Sequence, residues 1–332
     1  MTCKSCLVEK VEYEVKFEEK VNHSLLAKII MHLHRRNVDV TENQNILLLN
    51  ELGVKELYDF CMDHMNPAEA LFRINNQEWK PFSEIEKILE MQWVDEIIKK
   101  KLVYCHFQPI VNAQEEIFAY EILSRFNKED GTVVYPNEAF SAAKNRGRLY
   151  ALDKLCRMTA VRHAQSLKDK KAFINFIPTS IYSPEACLKS TIQTASLLGV
   201  EPSQIVFEVV ETEQVEDMNH LKKILAYYQE KGFDYALDDV GEGYSTLEVL
   251  EEITPKYMKL DIQYVQGIAG DVKKQQLAGE FLHKALEVGS IPLAEGVESK
   301  EDFEWLKREG YQLFQGYLFG RPAPYPQEKI YS

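Results

Sequence analysis

The chain has 332 residues, 45% hydrophobic and 27% charged, a balance that excludes collagen-like, coiled-coil and disordered chains and leaves room for one large domain or two ordinary ones. With 52 acidic against 39 basic side chains the formal net charge is −13. That argues against gripping a nucleic-acid polymer through a basic surface, so an anionic substrate would need a local positive patch or bound cations. Apolar runs are short, as in Ile46-Leu-Leu-Leu49, and no membrane span is expected. The N-terminal stretch from Met1 lacks the apolar core of a secretion signal, which predicts a cytoplasmic protein with reduced cysteines.

In the first part of the chain, a β-like run Glu12–Phe17 precedes a helical Ser24–Arg36, and Ile46–Leu49, a helical Val54–His64 and Ala70–Ile74 follow. This pattern predicts a small α/β module. From Pro81 to Lys101, Ile85, Ile88, Leu89, Trp93, Ile97 and Ile98 fall on roughly one side of a charged helix. That predicts a stiff helical connection and a boundary near residue 100, with 1–100 as the module and 101–332 as the second domain. A ligand sensor, a partner-docking module and a dimerisation arm are all compatible with the first part.

Beyond residue 102, apolar runs alternate with amphipathic stretches. Val103–Val111, Ile117–Phe126, Ala172–Ile177, Ile205–Val210, Tyr235–Leu237, Tyr257–Leu260, Ile291–Ala294 and Tyr311–Phe314 read as strands. Ala151–Leu167, Asn219–Lys231 and Gln275–Val288 read as helices between them; the first places Leu152, Leu155, Cys156 and Thr159 on one face. Eight strands with crossover helices are the arithmetic of a (β/α)8 TIM-like barrel, and a doubly wound open sheet would give the same alternation.

Polar residues interrupt these runs at comparable places. Glu121, Asn175 and Glu208 stand inside strands, Asp238 and Asp239 follow Tyr-Ala-Leu, Lys259 splits Tyr-Met-Lys-Leu, Glu295 closes Ile-Pro-Leu-Ala, and Gln315 follows Leu-Phe. Singly, each could be a solvated strand end. Together they would meet at one end of a barrel, where five carboxylates repel unless charge is supplied. Oxygen ligands suit Mg²⁺ or Mn²⁺, and Asp238-Asp239 could serve two ions. Such a pair activates water against a phosphoester, with Lys259 holding the water or offsetting developing charge.

These segments, with Phe107-Gln-Pro-Ile110, Glu121-Ile-Leu-Ser-Arg125, Glu208-Val-Val-Glu-Thr-Glu213, Asp238-Asp-Val-Gly-Glu-Gly-Tyr-Ser-Thr246, Lys259-Leu-Asp261, Ala294-Glu-Gly-Val-Glu298 and Gln315-Gly-Tyr317, resemble the EAL-domain cyclic-di-GMP phosphodiesterases over about residues 102–325. The resemblance implies a barrel that hydrolyses cyclic di-GMP to linear pGpG with two divalent cations, Mg²⁺ or Mn²⁺, with Ca²⁺ inhibitory. It implies Glu121, Asn175, Glu208 and Asp238 as ligands of the first cation and Asp239 of the second. Lys259 and Glu295 would handle the bridging water, Glu295 as general base, and Gln315 would position the water and metal shell. Gln108, Leu123 and Arg125 would contact substrate, Arg125 as a phosphate clamp. Glu211 would tether the loop after Asp239, which in the family also contributes to a homodimer contact. The alternative is an EAL-type receptor that binds cyclic di-GMP without cleaving it.

Two departures stand out. The signature reads Glu-Ile-Leu rather than Glu-Ala-Leu, and the loop has Val240 and Glu242 where the family usually has Phe and Thr. Ile122 adds bulk beside a ligand without removing it, whereas Glu242 adds negative charge near the metals. Separately, Cys3-x-x-Cys6 and Cys61-x-x-His64 are a candidate structural zinc site in the N-terminal module by ligand type and spacing. The competing reading is a loose terminus, a buried apolar Cys61 and a solvated His64.

Overall fold

The structure, a computed structural model, describes residues 11–17, 23–64, 66–75, 77–178, 181, 183–209, 218–241 and 246–330. It divides into two compact units. Of the described residues, one contains Val103–Arg125 and those from Asp153 onward, and the other joins Phe126–Leu152 to those from Val11 to Leu102.

The unit holding the N-terminal residues is built on an antiparallel sheet of β1 (Tyr13–Phe17), β2 (Val40–Asn43), β3 (Ile46–Leu49), β4 (Ala70–Ile74) and β5 (Lys80–Pro81), in the order β2-β3-β1-β4-β5. With helices His23–Arg35 and Glu51–His64 this is a βαββαβ arrangement of ferredoxin-like type. Alternation explains the core, because Tyr13, Val15 and Phe17 are buried while Glu14 and Lys16 are not. Leu26, Ile29 and Leu33 from one helix and Val54, Leu57 and Cys61 from the other pack in the same cluster. The helical pattern between Pro81 and Lys101 forms two short helices, Ile85–Glu90 and Trp93–Lys100, rather than one, and Lys101 stops the second in a left-handed conformation. In this unit Arg146, only 1% exposed, donates to Asp95, to Glu51 Oε2 (2.7 Å) and to the Ile88 carbonyl (2.9 Å). Arg148 donates to the other oxygen of Asp95.

The second unit is a closed barrel. Its strands are β6 (Val103–Asn112), β7 (Ile117–Asn127), which extends into a short pairing with β8 (Val133–Val134), then β9 (Lys171–Phe176), β10 (Ile205–Val209), β11 (Asp234–Val240), β12 (Tyr257–Leu260), β13 (Ile291–Ala294) and β14 (Leu313–Gln315). The ring runs β7-β9-β10-β11-β12-β13-β14-β6, and a β6–β7 pairing closes it. The closed ring removes the open-sheet alternative. From β7 to β14 the neighbours are parallel, whereas β6 lies antiparallel to β14. That reversal departs from eight strands joined by crossover helices. The connection Ala113–Glu116 is too short for a crossover; Asn112 Oδ1 accepts from the amides of Gln114 and Glu116 and closes it as a turn.

Each barrel strand sends one residue into an apolar layer inside the ring: Ile110, Ala119, Phe173, Val206, Ala236, Tyr257, Leu293 and Leu313. The alternate positions, such as Val111, Tyr120, Ile174, Phe207, Leu237, Met258, Ala294 and Phe314, pack in the surrounding core. Among the described residues, no helix is long and apolar enough to cross a membrane.

Candidate active site

The site follows from the two-residue period of the strands. One step of two from the apolar layer toward the C-terminal strand ends leads from Ala119 to Glu121, Phe173 to Asn175, Val206 to Glu208, Ala236 to Asp238, Tyr257 to Lys259, Leu293 to Glu295 and Leu313 to Gln315. Because β6 runs the other way, the same step goes backward from Ile110 to Gln108. A polar layer therefore lies directly above the apolar one, at the end of the barrel where such sites are built.

Lys259 is the hub of one half. Its Nζ lies 2.9 Å from Asp238 Oδ1 and 2.5 Å from Glu295 Oε1, and it also pairs with Glu208 Oε1. In the other half, Glu121 accepts from Asn175 Nδ2 (2.9 Å) and from Gln315 Nε2 (2.6 Å). Gln315 Nε2 also reaches Gln108 Oε1 at 3.1 Å, and Gln108 donates to the Gly320 carbonyl.

One ammonium cannot balance this much buried acid. Burial pushes the Glu208, Asp238 and Glu295 carboxyls up, Lys259 pulls them down, and the neighbouring carboxylates raise them again, with the net shift upward. Burial opposes the charge of Lys259, yet the surrounding carboxylates hold its ammonium well above the ordinary range. Glu208 is fully buried; its Oε1 is taken up by the Lys259 ammonium, and among the described residues its Oε2 has no hydrogen-bond donor. Carboxylate oxygens of Glu208, Asp238 and Glu295 lie within 4.8 Å of one another. An unsatisfied buried oxygen in an acidic cluster fits hard divalent cations.

The family model for the EAL domain matches residues 90–322. The chain belongs to the EAL-domain family. Cyclic di-GMP phosphodiesterase PdeF of Escherichia coli (strain K12) is 25% identical over 250 residues, 72% of this chain and 32% of PdeF. A standalone versatile EAL protein from Vibrio cholerae O395, solved in its c-di-GMP bound form, is 36% identical with a TM-score of 0.60, covering 69% of this chain and 94% of that one. The calcium/cy-diGMP complex of Klebsiella pneumoniae BlrP1 has the same fold over 96% of this chain and 98% of its own, with a TM-score of 0.62 at 19% identity. The chain spans 31 to 45% of the length of the first curated relatives it matches.

Of the residues singled out in the sequence, the EAL barrel brings together Gln108, Glu121, Asn175, Glu208, Asp238, Lys259, Glu295 and Gln315 through the contacts above. Asp239 follows Asp238 with a positive φ of 50° and donates its amide to Asp238 Oδ1. Leu123 and Arg125 lie farther along β7, both half-buried, and the Arg125 guanidinium donates to the Ser124 carbonyl. Ile122 points away from the pocket into the surrounding core, which removes its conflict with the ligand beside it. Val240 is buried in that core too. Glu211 and Glu242 lie outside the described residues.

The zinc expectation is corrected. Cys61 is fully buried in the small core, where burial pushes its thiol up to about 12, while His64 is exposed and its ring rests on Phe60. Facing different environments, the two do not form a chelating pair, and Cys3 and Cys6 lie outside the described residues. Among the described residues, the group of ligating side chains close enough to hold a metal is Glu208, Asp238 and Glu295. Sequence reasoning missed Tyr264, whose hydroxyl donates to the Gly241 carbonyl at 2.6 Å. Nothing local marks a tyrosine that acts on a carbonyl 23 residues away.

Proposed function

We propose that the barrel is a metal-dependent phosphodiesterase that hydrolyses cyclic di-GMP to linear pGpG as part of bacterial second-messenger signalling in the cytoplasm. The observation that carries this reading is the polar layer, which sets a polar side chain above every barrel strand, four carboxylates and a lysine among them, and leaves Oε2 of the buried Glu208 without a donor. PdeF, a cyclic di-GMP phosphodiesterase, and the c-di-GMP-bound Vibrio cholerae protein support the choice of substrate.

Glu121, Asn175, Glu208 and Asp238 would hold one cation, Mg²⁺ or Mn²⁺, and Asp239 the second. When bound, the cations lower the pKa of water and offset charge on the phosphate. Lys259 orients the water from its place among Glu208, Asp238 and Glu295. Glu295 takes the proton, a task suited to a carboxyl whose affinity for protons is raised by burial. The water oxygen bonds to phosphorus, the P–O3′ bond breaks with its electron pair going to O3′, which takes a proton from solvent to become the free 3′-hydroxyl, and the ring opens. Gln315 fixes Glu121 and the water, Arg125 clamps a phosphate, and Gln108 and Leu123 border the substrate. Residues 1–100 serve as a separate sensing, docking or dimerisation module, and the EAL domain pairs in a homodimer.

Incubating the purified chain with cyclic di-GMP and Mg²⁺ or Mn²⁺, followed by chromatography, tests this. Formation of pGpG supports the enzyme; bound but intact cyclic di-GMP favours the receptor.

A further inference from the structure

The chain between Asp239 and Gly241 is held in an unusual path. The β11–β12 register shifts between Leu237 and Val240, so the strand ladder is interrupted at Asp238 and Asp239. Asp239 has φ 50°, uncommon for a residue other than glycine, and Gly241 has φ 106°, a conformation open to glycine. Two contacts hold this path. The Asp261 amide donates to the Val240 carbonyl at 3.3 Å, and the Tyr264 hydroxyl donates to the Gly241 carbonyl at 2.6 Å. Tyr264 also packs closely against Gly241, since a Cβ there would come 2.5 Å from its ring.

Tyr264 is itself rigidly placed. It belongs to the short helix Ile262–Val265, whose N-cap Asp261 is buried and accepts from the Gln263 amide. On the other side, Ile262 packs on Gly296, where a Cβ would fall 2.0 Å from its side chain. One helix thus touches the glycine that follows Glu295 and the glycine two residues beyond Asp239.

We infer that Tyr264 is a positioning residue: by holding the Gly241 carbonyl it fixes the turn at Asp239 and presents that carboxylate to the second cation. This rests on the phosphodiesterase reading. The hydroxyl makes the bond, so phenylalanine at this position keeps the packing and loses the hold.

The test is Mn²⁺ binding to the metal-stripped full chain, followed by electron paramagnetic resonance of free Mn²⁺, for wild type, Tyr264→Phe and Gly241→Ala. Wild type should bind two ions. Tyr264→Phe should leave the tighter ion unchanged and weaken the other by about three- to tenfold, the effect of one lost hydrogen bond. Gly241→Ala, which drives a Cβ into the ring, should act in the same direction, and the Mn²⁺ concentration that half-saturates hydrolysis should rise in parallel. If Tyr264→Phe binds both ions within twofold of wild type, the role assigned to Tyr264 is wrong while the enzyme reading stands. If wild type binds no Mn²⁺, both fall.

Discussion

Lys259 Nζ lies 2.9 Å from Asp238 Oδ1 inside the barrel, with 1% and 6% of the two residues exposed. The same ammonium pairs with Glu208 and Glu295, so a single positive charge holds two buried carboxylates and a half-buried one from three different parts of the ring. Removing one partner of a buried ionic cluster leaves charge uncompensated, which costs far more than losing a surface pair.

Lys259→Met should therefore do two things. Hydrolysis should fall by about 10²-fold or more, as expected for loss of a group that handles a proton or the water. The metal-free protein should lose about 3–5 kcal/mol of stability in urea unfolding. A folded variant with near wild-type turnover would remove Lys259 from the chemistry.

Calcium should occupy the acidic pocket without supporting turnover. It accepts more oxygen ligands at longer distances and with looser geometry than Mg²⁺. Adding Ca²⁺ to the Mg²⁺-loaded enzyme should inhibit hydrolysis competitively with the metal, read from initial rates at varied Mg²⁺. Equal rates in Ca²⁺ and Mg²⁺ would contradict the octahedral requirement.

Burial pushes the thiols of Cys61 and Cys105 from 9.0 up to about 12. With the folded value above the unfolded one, the stability they contribute is complete below pH 9 and is lost as pH rises from 9 toward 12. Iodoacetamide at pH 8 should label both only as fast as the chain opens, and urea midpoints should fall above pH 9. Rapid labelling of native protein, followed by mass spectrometry, would show that these thiols are accessible.

Arg146→Met should destabilise the unit that contains it by about 3 kcal/mol, because Asp95 and Glu51 lose a buried guanidinium. By contrast, Arg36→Met removes an ion pair to Glu56 from an arginine 62% exposed and should cost about 0.5 kcal/mol or less. Urea unfolding of the two variants side by side gives the comparison.

The barrel was legible where apolar runs and polar interruptions shared a period. Tyr257–Leu260 and Ile291–Ala294 were read with their observed bounds, and Lys259 stood out because no packing argument explains a lysine there. The direction of β6 was not legible, since hydrophobic periodicity is the same in either direction. Nor was β2, whose Val40-Thr-Glu-Asn is largely exposed and lacks alternation. The stretch 126–152 reads as part of the barrel domain by position, yet Arg146 and Arg148 tie it to Asp95 through contacts more than fifty residues apart in sequence. Cys61 and His64 have metal-like spacing, but only two residues of helix separate a core side chain from an exposed one.

The most direct measurement is pGpG formation by wild type and by Glu121→Ala, each with Mg²⁺ and with EDTA, quantified chromatographically alongside circular dichroism to verify folding. Wild type with Mg²⁺ should convert cyclic di-GMP to pGpG, and the EDTA and Glu121→Ala samples should leave it intact. Turnover by a folded Glu121→Ala protein, or none by the Mg²⁺-loaded wild type, would contradict a metal-dependent site at the strand ends.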